Sequence, residues 1–396
     1  MHRLQFVAML LCAASALSAD LHARPYGIRA LGNLPGGTGA SAYAVSSDGT
    51  VVVGAASSAA GLQAFRWTEA TGMVGLGELT GGEFRSEATG VSADGSVVVG
   101  YSTTAAGPKA FRWTAATGMV GLSDLPGGSS ATYALDISDN GLVIVGYALA
   151  QDRHEAVRWT QSEGLVSLGD IVGGRALSEA NAVSADGSVI VGQGSPNSSN
   201  VVASRWTEAA GMVGIGNLGR SPNGGAHGVS ADGSVVAGWG LSNSVGQEAF
   251  RWTASGGMVG LGDLPGGGSV SFAYDLSGDG ATVVGISNSA ISTFDGFVWT
   301  AERKMVSVRN LLISGGVSEA AGWSVSSIEG VSYDGTVLVG WGTDPAGHGQ
   351  AFIATIPEPS TAVLIACGGA TIVLAAGLHR RRLMLSGLSE MQFDDM

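Results

Sequence analysis

The residues able to perform chemistry in this chain are few and poorly grouped. Three histidines, His154, His227 and His348, fall between residues 26 and 355, each at a different point of the pattern around it. No H-x-x-E-H, no G-x-S-x-G and no clustered carboxylate pair accompanies them, so neither a metal-activated water nor an activated serine is indicated. The two cysteines, Cys12 and Cys367, lie in apolar segments near the ends, which excludes a thiol nucleophile, a disulfide and a Cys-ligated zinc from the region between them. A recurrent Ser-x-Asp-Gly phrase offers one carboxylate per turn, whereas a calcium loop needs several at alternating positions. The residues that recur with a capacity to bind are aromatic. Tyr101, Tyr147, Trp239 and Trp341 each directly follow the glycine of an apolar run, and rings grouped in this way can stack on sugars. Packing beneath the loops is the alternative, and no catalytic residue, metal site or cofactor is expected.

The elements that must position these rings are set by an internal repeat. AFRWT and its variants recur at Trp67, Trp113, Trp159, Trp206, Trp252 and Trp299, with a seventh copy, QAFIAT, around Phe352. Ser-x-Asp-Gly recurs at Asp48, Asp94, Asp186, Asp232, Asp279 and Asp334, with SDNG at Asp139 filling the remaining slot. A third phrase, LGDLPGG in its fullest form, has worn versions that include VRNLLISGG. Each repeat reads as four short strands: a, the Asp-Gly turn, b (as in SVVVG), c (AFRWT), and d (MVGLGDL). Four strands in about 46 residues is the size of a propeller blade. The chain enters at YGIRALGNL, a lone strand d, and its last repeat ends at QAFIAT without one. A closed ring would use the first strand to complete the last blade, a device that an open β-solenoid does not need. The expectation is an all-β, seven-bladed β-propeller over residues 26–355.

Phe and Trp of AFRWT stand two apart, share one face of strand c and should fill the space between blades. Arg66, Arg112, Arg158, Arg205 and Arg251 project from the opposite face and need partners, for which turn aspartates such as Asp94 and Asp232 are available. The a-b and c-d turns share one end of the ring and are stereotyped. The b-c and d-a loops share the other end and vary, as in YSTTAAGPKA and WGLSNSVGQEA, which marks that end for recognition.

Composition bounds the partners. With 65 glycines and a formal charge of -13, the chain suits many short strands and tight turns and lacks the clustered cations that a nucleic-acid partner requires. Residues 1–19 have the basic start, apolar stretch and small residues of a secretory signal peptide, with cleavage expected after Ser18 or Ala19. Thr361 to Leu378 is an uncharged run of 18 residues, about 27 Å as a helix at roughly 1.5 Å per residue, expected to cross the inner membrane. Arg380, Arg381 and Arg382 follow it and assign residues 383–396 to a cytoplasmic tail.

Pro357, Glu358 and Pro359, then Ser-Thr, the apolar run and the arginines resemble the PEP-CTERM sorting signal, spanning residues 356–382. That resemblance implies recognition of Pro357–Glu358–Pro359 by exosortase, a membrane-embedded cysteine protease, in bacteria that make exopolysaccharide and biofilm. Residues 27–354 are similar to HAF-family extracellular repeats, although their signature histidine is replaced by Gln63, Lys109, Glu155, Val202, Glu248, Asp295 and Gln350. Together these imply an exported protein, held transiently at the inner membrane and then placed at the cell surface or in the extracellular matrix. There it would act as a non-enzymatic structural or binding component, with exopolysaccharide or surface proteins as partners. The alternatives are a polysaccharide lyase or glycosidase on a propeller scaffold, favoured by an acid and base lining the channel, and a membrane protein that is never cleaved.

Overall fold

Each Ser-x-Asp-Gly phrase closes a hairpin by satisfying its own polar groups. In the second repeat Ser92 Oγ donates to Asp94 Oδ1 at 2.7 Å and accepts the Val97 N–H at 3.0 Å, while Asp94 Oδ1 accepts the Ser96 N–H at 3.0 Å. Gly95 completes the turn at φ 69°, a conformation that side chains disfavour. The same bonds recur at Ser46–Asp48, Ser230–Asp232 and Ser332–Asp334. In the third repeat the acceptor is Asn140, which bonds Ser138 and the Leu142 N–H, so Asp139 occupies the variable second position rather than the turn-forming one.

The computed structural model describes residues 25–357, apart from 129–130, 151–152, 173, 175–176, 198, 220, 244–245, 269 and 291, together with 362–367 and 370–375. It forms a seven-bladed β-propeller. Blade 1 pairs Ala40–Val45, Val51–Ser57, Leu62–Thr68 and Gly72–Gly75 in antiparallel order, and the next five blades repeat the pattern. Blade 7 pairs Ser324–Val331, Val337–Thr343 and Gly349–Thr355 with the N-terminal strand Gly27–Ala30, in the register Gly27 with Thr355 through Ala30 with Phe352. The first strand thus closes the ring, as the offset between the ends of the repeat array requires. The a strands of successive blades contact one another around the ring and form its inner wall.

Between blades the core is built from both neighbours. Phe111 and Trp113 of blade 2 pack with Val51, Val53 and Leu76 of blade 1, and Phe250 and Trp252 of blade 5 face Ala182, Val191 and Ala203 of blade 4. Phe65, Phe111, Phe250, Phe297 and Phe352 are fully buried. The arginines between them do not pair with the turn aspartates. Arg66 Nε donates to Gly95 O at 3.1 Å and Arg251 Nε to Gly280 O at 2.9 Å. The Oδ1 atoms of Asp94 and Asp279 accept bonds inside their own turns, and the arginines bond the turn carbonyls instead.

Two segments depart from expectation. Within VRNLLISGG, Val308–Ser314 is a helix capped by Ser307, followed by a 3-10 turn at Ser318–Gly322. No glycine or proline interrupts residues 308–314, and Val308 and Leu312, one turn apart, bury together. In the stretch expected as a membrane helix, Ala362–Cys367 pairs antiparallel with Ala370–Ala375 as a hairpin. The β-branched Thr371, Ile372 and Val373 favour that arrangement in the sequence. Among the described residues no helix is long and apolar enough to cross a membrane. The signal peptide, Glu358, Pro359, Arg380, Arg381, Arg382 and the tail lie outside the described residues; Pro357 follows the last strand of the ring.

Candidate functional site

A bulge in every inner strand shapes the channel. The register of strand a against strand b slips by one residue at Tyr43, Thr89, Leu135, Asn181, His227, Tyr274 and Glu329, each three residues before the turn serine. The bulge brings backbone so close that only glycine fits opposite. A Cβ at Gly100 would lie 1.9 Å from Glu87 O, and one at Gly340 would lie 2.0 Å from Ser327 O. Those glycines precede Tyr101 and Trp341, so each of these two rings directly follows a glycine that the bulge requires.

At the turn end neighbouring blades are tied together. Backbone bonds link the second residue of one turn to that of the next: Ala185 N to Ala231 O, Ala231 N to Gly278 O, Gly278 N to Tyr333 O and Tyr333 N to Ser47 O. Beneath them, Asp136 and Asp275 hold equivalent positions, two before the turn serine, in blades 3 and 6, where other blades carry Ala44, Gly90 or Gly330. Both border a cavity of about 130 Å³. Asp136 Oδ2 accepts the Val183 N–H at 2.9 Å and Asp275 Oδ2 the Val331 N–H at 2.9 Å, each from the next blade. Burial pushes both carboxyls up to about 7, against the lowering effect of those bonds. Their second oxygens accept the Ile137 and Leu276 N–H groups at 2.7 Å, so each aspartate clips two blades together.

The loop end is different. Tyr101, Trp239 and Trp341, each after a bulge glycine of strand b, face the inner strand of the following blade, whereas Tyr147 packs on rings of its own blade. Tyr101 meets Tyr133 edge-on at 4.9 Å, Tyr133 stacks on Tyr147 at 4.7 Å, and Tyr147 stacks on His154 at 4.7 Å. His154 Nδ1 bonds Glu179, which also accepts from Gln193 Nε2 at 2.7 Å. Trp239 meets Phe272 edge-on at 5.6 Å. Arg85 pairs with Glu87 at 2.8 Å, and Tyr43 OH lies 3.5 Å from the other oxygen of Glu87. Trp341 Nε1 donates to Glu329 Oε1 at 3.3 Å, and Ser327 Oγ donates to the same atom at 2.6 Å. Burial raises the Glu329 carboxyl and, with the nearby Glu87 and Glu329 charges, pushes the Tyr43 phenol up to about 12. His227, at the bulge of blade 5, is lowered to about 4 by burial and is neutral at pH 7. Chemically, the belt offers aromatic faces edged by carboxylates and hydroxyls, the makeup of a surface for polyhydroxylated chains.

Of the four rings singled out in the sequence, Tyr101 and Tyr147 join one stack through Tyr133, Trp239 packs against Phe272, and Trp341, in blade 7, is 42% exposed. Tyr43, Glu87, Tyr133, Glu179 and Glu329 were not singled out. They occupy the third and fifth positions before each turn serine, and aligning the repeats on that serine shows these two columns varying on either side of a position that is Ala in six blades and Ile328 in the seventh. No group of three or more His, Cys, Asp or Glu side chains able to hold a metal ion occurs among the described residues.

No family model and no curated protein matches the chain. Its fold is similar to oligogalacturonate lyase from Vibrio parahaemolyticus, with a TM-score of 0.53 and 10% identity over 85% of this chain and 98% of that one. An oligogalacturonate lyase in complex with manganese matches with a TM-score of 0.52 and 11% identity over 85% and 97%. TolB from Acinetobacter baumannii matches with a TM-score of 0.42 and 13% identity over 59% of this chain, which spans about half of that protein's length (53%).

Proposed function

We propose that this propeller is an exported, non-enzymatic binding component of the cell surface or extracellular matrix that holds exopolysaccharide at the loop end of its ring. The observation that carries the reading is the belt of Tyr101, Tyr133, Tyr147 and Trp341 with their hydroxyl and carboxylate edges, displayed on a ring whose opposite end is built of hydrogen-bonded hairpin turns. Rings stack on the apolar faces of sugars while edge groups take their hydroxyls. Retention on an immobilised polysaccharide tests it: Tyr133→Ala should abolish retention of the folded protein, and unchanged retention would refute the belt as the binding surface.

Export and sorting belong to the same proposal. Residues 1–19 direct secretion, and Pro357–Glu358–Pro359 with Arg380, Arg381 and Arg382 present the chain to exosortase. In lipid the apolar run from 361 to 378 would have to be helical, because a lone hairpin leaves strand edges unpaired in hydrocarbon. Mass spectrometry of the surface-bound protein decides between cleavage and permanent anchoring; recovery of an intact Arg382 refutes the exosortase step.

A polysaccharide-active enzyme is the second reading. The raised carboxyl of Glu329 beside the channel favours it, and the fold shared with oligogalacturonate lyases is compatible with it. Release of new chain ends from a polysaccharide, lost in Glu329→Gln, would establish this reading over the first.

A further inference from the structure

Resting on the polysaccharide-binding reading, we propose that the gap between blades 7 and 1 is the subsite for one uncharged hexopyranose ring. Trp341 supplies its stacking platform and Gln350 Oε1 accepts one of its hydroxyl protons.

The gaps differ in what crosses them. Tyr101 meets Tyr133, and Trp239 meets Phe272, so those gaps are occupied by protein rings. Across from Trp341 the corresponding inner-strand residue is Ser41, and a cavity of about 340 Å³ remains between them. That volume lies in the range of about 300–1,000 Å³ typical of ligand sites. The bond from Trp341 Nε1 to Glu329 fixes the indole's orientation before any ligand arrives.

Gln350 provides the independent pointer. It lines this cavity, is 6% exposed, and its Oε1 has no hydrogen-bond partner. An unsatisfied buried acceptor costs about 1–3 kcal/mol. Residues in the same slot of other blades find partners in their own blade or the loop after it. Lys109 pairs with Asp124 at 3.1 Å, Glu248 Oε1 accepts the Gly262 N–H at 3.0 Å, and Asp295 Oδ1 accepts from Ser307 Oγ at 3.2 Å. In blade 7 the outer strand is the N-terminal segment, and Gln350, which lines the cavity, is left with a buried, unpaired acceptor.

Charge selects the sugar. None of the residues lining the cavity is charged; the carboxyl groups that touch its rim are Glu329, through Trp341, and Glu87, through Tyr43, the latter already paired with Arg85. A uronate would find no charged partner among the lining residues, the nearby Arg85 being engaged by Glu87, whereas an uncharged ring meets an aromatic face and an amide.

The test titrates the full chain with hexasaccharides of glucose, N-acetylglucosamine, glucosamine and galacturonate, following tryptophan fluorescence and heat. At least one uncharged oligomer should bind, and Trp341→Ala and Gln350→Met should each weaken it about tenfold or more. Gln350→Met should also leave the melting temperature unchanged or raised, since it removes an orphaned acceptor. Tighter binding of the galacturonate or glucosamine oligomer than of either uncharged one overturns the assignment. Binding lost in Tyr133→Ala but untouched in Trp341→Ala and Gln350→Met overturns the subsite and leaves the belt standing. Failure of every oligomer to bind overturns both.

Discussion

The two ends of the ring are made from the same repeat yet carry opposite kinds of residue. At the turn end the serine and the Asp or Asn of each turn are kept, and their polar groups bond one another: Ser230 Oγ donates to Asp232 and accepts the Val235 N–H, and Ser332 does the same with Asp334 and Val337. At the loop end the corresponding positions vary from blade to blade, and what varies is ring, carboxylate and hydroxyl. Constancy follows from geometry, because a tight turn and a bulge admit few residues. Variation is free where the scaffold beneath is already fixed.

Breaking the turn end should therefore cost stability and spare binding. The double variant Ser230→Ala with Ser332→Ala leaves the buried Val235 and Val337 N–H groups without acceptors, at about 1–3 kcal/mol each. The sites are two blades apart and share no partner, so chemical denaturation should show roughly 2–6 kcal/mol lost with polysaccharide retention intact in the folded fraction. A loss below about 0.5 kcal/mol would mean that the turns are not held by these bonds.

Loop-end substitution should do the reverse. Tyr133→Ala removes ring contacts to Tyr101 and Tyr147, each worth about 0.5–1.5 kcal/mol, from a half-buried position. The stability change should thus be smaller than that of the double serine variant while binding disappears. Equal losses of stability at both ends would collapse the distinction.

The architecture was legible because its signals are local and repeated. Asp-Gly turns, AFRWT and the offset between YGIRALGNL and QAFIAT predict seven blades closed by the first strand, which Gly27 opposite Thr355 realises. The arginine partners differ from expectation, since sequence does not show that Asp94 turns its Oδ1 to both Ser92 and Ser96. The helix at Val308–Ser314 hid inside a worn copy of a strand phrase. At the candidate site, Tyr101, Tyr147, Trp239 and Trp341 were visible from their fixed place after a glycine. Tyr133 and Glu329 were not, because their proximity to those rings depends on a one-residue bulge and on the packing of neighbouring blades.

The subtlest contrast between the ends is in their response to pH. Asp136 and Asp275, near the turn end, have carboxyls raised to about 7, above the value of about 3.9 expected when unfolded. The folded ring binds their protons more tightly, so their contribution to stability is fully present below about pH 4 and is lost as pH rises through about 7. His227, at a bulge in the inner wall, is lowered to about 4 from an unfolded value near 6.5. Its contribution is present above about pH 6.5 and is lost as pH falls through about 4, the opposite sign over the same window. Replacing both aspartates, as Asp136→Asn with Asp275→Asn, keeps an oxygen for the N–H groups of Val183 and Val331 but removes the titration. The melting temperature of this variant minus that of the wild type should rise steadily between pH 4 and 7. Adding His227→Gln should tilt the curve of the triple variant downward relative to the double over the same range. A flat first difference would mean that the aspartates are already ionised in the folded ring, held by the two backbone N–H bonds each accepts rather than neutralised by burial.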